Sequence, residues 1–182
     1  MARTKKNQVQ ELRFDEKLVL FKFMQRELGI TDMKQLARQM NLPEEEGINE
    51  STGNTLFIEY FFKQPGCRIP ETKLRVYDEN IRRYTQKIGE NRGGLTWKYF
   101  QYLSLLFTEI YLDRWFSDKE AFQQELTDFL HDEDDRTLGQ IGFQDFDLAK
   151  MNKLAYMSAT GSGKTLILHV NILQFSYYLK RA

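Results

Sequence analysis

Apolar side chains recur every three or four residues over most of residues 13–130, which is the spacing of amphipathic helices. The pattern predicts a helix over 13–28 that ends at Gly29, and a short second helix to Met40 that Thr31 can cap. Further helices are predicted at 54–64 and from Pro70 to about residue 90. The first two thirds of the chain are therefore predicted to be helical.

Residues 95–116 predict the central helix of this region. The segment is apolar nearly all round and carries most of its volume as aromatic rings, so it should be buried on every side. Ser117 and Glu120 then match the S-x-x-E capping box, which predicts the start of another helix at 118–130.

An acidic run, HDEDDR at residues 131–136, separates this pattern from a different one. The run is a candidate metal site or an acidic Walker B motif. A Walker B carboxylate, however, ends a buried apolar strand and comes after the phosphate-binding loop in the chain. This run precedes the loop and follows no apolar strand, so we interpret it as a solvated linker at a domain boundary.

The pattern from Lys153 onward predicts a strand, a glycine-rich loop and a helix. KLAYMS at 153–158 is short, apolar and bounded, as a buried parallel strand would be. TGSGKT follows at 160–165, and an apolar segment at 166–179 is long enough for a helix. This order is the context that a phosphate-binding loop requires.

Each residue type in the loop suits the binding of a nucleotide phosphate. Gly161 and Gly163 allow a tight turn and a close approach of the backbone, so that successive amides form an anion nest. The helix that starts there adds its positive dipole end. Lys164 would place an ammonium between the β- and γ-phosphates, and Thr165 would offer its hydroxyl to Mg²⁺. Thr160 and Ser162 complete the candidate site, the latter with a small side chain and another N–H.

The stretch SATGSGKT resembles motif I of superfamily 2 helicases, with Ser158 at a position where the full pattern has glycine. The wider segments LTWKYFQYLSLLFTEIYLDRWF and LAYMSATGSGKTLILHVNILQF resemble the N-terminal region of bacterial DEAD/DEAH-box proteins of the type III restriction subunit kind. The resemblance covers most of residues 70–182. It implies binding of ATP and Mg²⁺, movement on DNA in the intact protein, and a restriction-type companion subunit. Gln140 and Gln144 are candidates for reading adenine, although neither lies in a clean match to a glutamine motif.

The sequence thus predicts a mainly α N-terminal region followed by the first strand–P-loop–helix unit of an incomplete α/β RecA-like NTPase domain. We expect a flexible N-terminus at 1–12, a helical domain at 13–135, a connector at 136–152 and the start of the ATP-binding domain at 153–182.

Because 17 residues follow Thr165, we expect the front end of a longer helicase or translocase that does not hydrolyse ATP by itself. The alternative is a helical module that binds DNA or a partner and carries a P-loop remnant. A complete small nucleotide-binding protein is a third possibility, against which the absence of further predicted strands argues.

Composition excludes several other classes. Lys plus Arg equals Asp plus Glu at 26 each, so the chain has no global charge that would steer it to nucleic acid. The basic N-terminus MARTKKNQ is either an arm on phosphates or a frayed terminus. A single cysteine excludes an internal disulfide framework and predicts a cytoplasmic location. Charged residues interrupt the most apolar segment, which predicts no membrane span.

Two carboxylates of the central segment, Glu109 and Asp113, lie four residues apart and so share a helix face. Such a pair is typical of acid–base or metal chemistry, whereas ion pairs near Arg114 are the ordinary alternative. No separated carboxylate–lysine pattern supports a nuclease site among these residues and the 132–135 run.

Overall fold

The computed structural model describes residues 12–42, 44, 46–90, 92–137 and 142–182. After a short 3₁₀ turn at Phe14–Lys17, the described chain forms α1 (Val19–Glu27), α2 (Met33–Met40), α3 (Leu56–Phe62), α4 (Glu71–Gly89), α5 (Tyr99–Ser117), α6 (Lys119–Arg136) and α7 (Lys164–Leu179). The predicted flexible terminus at 1–12 lies, apart from Leu12, outside the described residues.

Local capping sets the helix ends, in part through residues other than those predicted. Asp32, and not Thr31, caps α2 by accepting a hydrogen bond from the Lys34 amide at 2.7 Å. Asp118, and not Ser117, caps α6 by accepting one from Ala121 at 2.9 Å. Gly29 ends the first helical segment as predicted, with a φ of 69°. A Cβ at Gly29 would lie 2.6 Å from the Pro65 carbonyl oxygen, so the position also requires glycine for space.

Helix α5 is the centre of the protein, as its apolar pattern predicts. It packs against α4, α6 and α7, and α2 also contacts it. Its fully buried side chains include Tyr102, Leu105, Leu106 and Ile110. One continuous core contains these residues together with Ile167 and Val170 of α7. The helix that follows the glycine-rich loop is therefore packed on the same core as α1–α6.

A fully buried carboxylate, Asp78 of α4, ties three helices together. Its oxygens accept hydrogen bonds from the Thr55 amide at 3.0 Å, the Thr55 hydroxyl at 2.5 Å and the Tyr102 hydroxyl at 2.5 Å. Thr55 is the N-cap of α3, and Tyr102 lies on α5. Arg82, one turn further along α4, neutralises the charge through an N–O contact of 3.1 Å. These hydrogen bonds and the ion pair with Arg82 compensate for the water that the Asp78 carboxylate loses on burial.

The prediction of an α/β RecA-like unit is wrong. Residues 153–159 form no strand, and the described residues contain no sheet, only two isolated bridges at Leu28–Cys67 and Ile48–Thr55. A strand needs a neighbouring strand to pair its amides and carbonyls, and no described segment offers one beside residues 153–159. Side chains hold this segment on α5 instead. The Tyr156 hydroxyl contacts that of Thr108, and the Tyr111 hydroxyl donates to the Met151 carbonyl.

The acidic run at 131–136, which we interpreted as a linker, forms the last turns of α6. Glu133 is buried within it and contacts Lys22 of α1 at 2.9 Å and Arg136 at 2.7 Å. These ion pairs explain why the run continues the helix, since its inward carboxylate is neutralised by cations. Among the described residues, no helix is long and apolar enough to cross a membrane. The proposed division into domains stays a prediction.

Candidate phosphate-binding loop

The glycine-rich loop leads directly into α7, which begins at Lys164 with Gly163 as its N-cap residue. Gly161 and Gly163 have φ angles of 78° and 85°, in the left-handed region that favours glycine. The two glycines therefore make the turn that the sequence predicts, although an irregular segment and not a strand precedes it. The loop is mainly exposed.

The amides of this loop remain available to a ligand. Within the described part of the chain, the amides of Gly161, Gly163, Lys164 and Thr165 donate to no other group. The last two also lie at the start of a 16-residue helix, where amides have no intrahelical acceptor and the helix dipole is positive. Free amides around left-handed glycines can form a concave site for an anion.

Lys164 lies across the loop. Its Nζ donates to the carbonyl oxygens of Ser158 at 3.1 Å and Ala159 at 3.0 Å. Both acceptors are neutral, so a phosphate oxygen would be a stronger partner for the ammonium. The side chain is exposed and can turn to such a ligand without leaving a buried group unpaired.

The hydroxyl groups of the loop differ in their surroundings. Thr165 is exposed, and its hydroxyl bonds to no described residue, so it is open to a Mg²⁺ ion carried by phosphates. The Ser162 hydroxyl is buried and lacks a partner among the described residues. Thr160 is exposed at the turn. Thr165 is thus the hydroxyl of the loop that best fits the predicted magnesium role.

Gln101 of α5 holds the loop in place, a role that the sequence pattern did not reveal. Its Nε2 donates to the Ser162 carbonyl at 2.8 Å, while its Oε1 accepts from the Lys98 amide at 2.9 Å. A Cβ at Gly163 would lie 2.4 Å from the same Nε2. The contact joins residues 61 positions apart, and no local motif marks it.

The two glycines give a matched pair of substitutions. Gly163→Ala should lower the free energy of unfolding by about 2 kcal/mol. Strain of the left-handed backbone accounts for about 1 kcal/mol, and displacement of the Gln101 contact accounts for about 1 kcal/mol. Gly161→Ala should cost only the backbone part, about 1 kcal/mol, because nothing lies within 4 Å of its added Cβ. Urea unfolding followed by circular dichroism measures both. Equal losses at the two positions would contradict the Gln101 contact.

Helix α7 is anchored toward its C-terminal end by a buried polar cluster, which we call the Glu109 cluster: Asn80, Glu109, Gln174 and Tyr178. Glu109 Oε2 accepts from Asn80 Nδ2 at 3.0 Å and from the Tyr178 hydroxyl at 2.7 Å. Gln174 donates to the Leu105 carbonyl at 2.9 Å. Glu109 Oε1 and Gln174 Oε1 lack partners among the described residues. Burial raises the pKa of Glu109 from 4.5 to about 7, although its hydrogen bonds lower it.

The two carboxylates that the sequence placed on one helix face have different partners in the structure. Glu109 is buried between α4, α5 and α7, whereas Asp113 accepts from Lys73 Nζ at 2.8 Å and from the Tyr77 hydroxyl at 2.7 Å. Arg114 contacts Glu27 and Glu125 and neither member of the predicted pair. Among the described residues, no three metal-binding side chains lie close enough to hold an ion. Asp113 thus forms the ordinary ion pair, with Lys73 and not with Arg114.

The candidates for reading adenine gain no support here. Gln144 is exposed in the segment between α6 and α7, and Gln140 lies outside the described residues. The basic N-terminal arm also lies outside them.

Comparison of the chain with protein-family models, with curated proteins and with solved structures finds no match. Phosphate binding is therefore inferred from the residues and geometry of the loop. Helicase function is inferred from the resemblance of residues 70–182 alone.

Proposed function

We propose that the chain binds the triphosphate of Mg²⁺–ATP through the loop at 158–165, as part of an ATP-dependent DNA helicase or translocase of the restriction-related kind. The observation that carries the proposal is that, among the described residues, the amides of Gly161, Gly163, Lys164 and Thr165 donate to no other group and lie beside the exposed Lys164. Such a function also implies a cytoplasmic location and a restriction-type companion subunit.

The roles of the residues follow from their chemistry. The loop amides would bind phosphate oxygens, and Lys164 would exchange two neutral carbonyls for a doubly charged phosphate. Thr165 would coordinate the Mg²⁺ that the nucleotide brings. Gln101 would keep the Ser162 carbonyl turned toward α5 and so out of the phosphate site.

The proposal covers binding and assigns no catalytic base. Among the described residues, no carboxylate forms a hydrogen bond or an ion pair with residues 158–165. Phosphoryl transfer also needs a group that orients the attacking water. We therefore expect Mg²⁺–ATP to bind without hydrolysis above background.

Isothermal titration with Mg²⁺–ATP tests the proposal. Lys164→Ala should weaken binding by about tenfold to a hundredfold, which corresponds to one hydrogen bond between charged groups. Lys153→Ala is the matched control, because that lysine is also exposed and lies outside the loop. Equal affinity of the wild type and Lys164→Ala, or weakening by both variants alike, would refute binding at the loop.

A second candidate function is the accessory module that binds DNA or a partner while its P-loop has no role. The distribution of charge favours it. Residues 148–182 carry five Lys or Arg side chains and no Asp or Glu, although the whole chain is neutral. DNA binding together with no affinity for Mg²⁺–ATP would select this candidate over the first.

A further inference from the structure

A groove between α4 and α7 is lined by cations that form no salt bridge with any described carboxylate. It encloses about 560 Å³ and is lined mainly by polar side chains of the two helices, with Leu173 at its apolar wall. Arg83 and Lys87 project from α4, and Lys180 follows α7. Arg181 is the next residue in the chain. We call these four residues the groove cations.

The groove cations differ from most other cations of the protein. Arg82, Arg75 and Lys73 also lie on α4, and each contacts a carboxylate within 3.1 Å. In the part of the chain that the structure describes, no salt bridge involves a groove cation. One carboxylate, Glu90, lines the groove, and Glu79 acts on Arg83 from outside it. The groove is thus a local excess of positive charge on a neutral protein.

Tyr177 orders the two guanidinium groups. The Arg83 and Arg181 guanidinium carbons lie 5.0 Å from the centre of its ring, and Arg181 also donates to its hydroxyl at 2.8 Å. Arg83 further donates to Asn80 Oδ1 at 2.8 Å. Cation–π and hydrogen-bond contacts of this kind fix the side chains before a ligand arrives, which lowers the entropic cost of binding.

We propose that this groove binds the backbone of a nucleic-acid strand, with successive phosphates held by the groove cations. Guanidinium groups match phosphate oxygens with two parallel hydrogen bonds, and lysines add point charges. Arg83 and Lys87 are one helical turn apart, about 5–6 Å, which suits neighbouring phosphates of an extended strand. Glutamate side chains of an acidic protein would not present such a regular series.

The inference rests on the proposed function only in that DNA is the expected partner. The groove is separate from the loop, since α7 carries the loop at its first turn and the groove near its last. The two sites can therefore be tested on the same samples.

Fluorescence anisotropy with a labelled oligothymidylate measures the binding. Four neutralised phosphates of a single strand predict a slope of about −3 for log affinity against log salt concentration. Lys87→Ala/Lys180→Ala removes two charges that form no side-chain hydrogen bond or salt bridge with a described residue. It should weaken binding about tenfold at low salt and reduce the slope by about half. Lys34→Ala/Arg38→Ala, on the exposed face of α2, removes the same charge outside the groove and should leave both values unchanged.

Three results would overturn the proposal: no binding of the oligonucleotide, equal weakening by both double variants, or equal affinity for poly-glutamate of similar length. Mg²⁺–ATP titration of the same proteins separates the two claims. Groove variants that lose the oligonucleotide and keep the nucleotide support the groove. Loss of nucleotide binding in Lys164→Ala alone concerns only the loop.

Discussion

Asp78→Ala is expected to lower the free energy of unfolding by about 4 kcal/mol, the largest effect of any substitution considered for this protein. The change leaves the buried Thr55 amide and the buried Tyr102 hydroxyl without an acceptor, and each orphaned donor costs about 1–3 kcal/mol. Because the two donors attach α3 and α5 to Asp78 of α4, the loss should affect the packing of three helices. Urea unfolding followed by circular dichroism gives the value.

Asp113→Ala is the control for this prediction. Asp113 also accepts from a cation and from a tyrosine hydroxyl, but its side chain is 22% exposed, whereas that of Asp78 is fully buried. Water can replace the lost partner at Asp113, so the expected loss is about 1 kcal/mol. If both variants lose the same stability, the burial of Asp78 has no special energetic role.

Glu109→Gln should make the protein more stable at pH 8 and should remove part of its pH dependence. The pKa of Glu109 is raised by burial from 4.5 to about 7, so the folded state binds a proton more tightly than the unfolded state. The contribution of Glu109 to the free energy of unfolding is fully present below pH 4.5, falls as the pH rises, and is lost above pH 7. The shift corresponds to about 3 kcal/mol.

The measurement is urea unfolding of both proteins from pH 5 to pH 8. Glutamine has the shape of the protonated acid and carries no charge, so the variant should be more stable at pH 8 by about 2–3 kcal/mol. The two proteins should differ little at pH 5. His131, whose pKa Asp145 raises, titrates in both proteins and cancels in the difference. Parallel stability curves would show that Glu109 does not titrate in this range.

The Glu109 cluster also links stability to the candidate site, because Gln174 and Tyr178 attach α7 to α4 and α5. The neighbouring groups that act on this carboxyl are Arg83 and Tyr84 of α4 and Tyr178 of α7. Ionisation of Glu109 would place a charge against the helix that carries the loop.

Much of the helical body could be predicted from the sequence because local rules control it. The sequence predicted α2 to α5 within about four residues at each end, although α1 starts six residues after its predicted start and α6 ends six residues after its predicted end. The all-round apolar pattern of residues 95–116 predicted the buried centre. Gly29 ended its helix as expected. Cap residues were predicted one position away from the observed ones, because two neighbouring polar residues offered similar side chains.

The strand at 153–158 was predicted wrongly for a physical reason. A short apolar run is compatible with a strand, but pairing with another strand decides whether one forms, and the run itself contains no information on its partner. Here the side chains of Tyr156 and Leu154 pack on the helical body instead. The helical conformation of the acidic run at 131–136 likewise depends on a residue distant in sequence, because Lys22 neutralises Glu133.

The loop residues themselves were predicted from the motif, whereas their supports were not. Gln101 and the Glu109 cluster act across 61 and 69 positions, so only the folded chain brings them together. The groove cations were visible in the sequence only in part. Arg82 and Arg83 are adjacent in the sequence and alike in type, but Arg82 contacts Asp78, whereas Arg83 lines the groove.

Amide chemical shifts recorded during a titration with Mg²⁺–ATP test phosphate binding by the loop most directly. We predict that the amides of Gly161, Gly163, Lys164 and Thr165 shift first and most strongly, and that Lys164→Ala abolishes these shifts at the same nucleotide concentration. Unchanged loop amides at millimolar Mg²⁺–ATP, or shifts confined to the groove between α4 and α7, would contradict the proposed function.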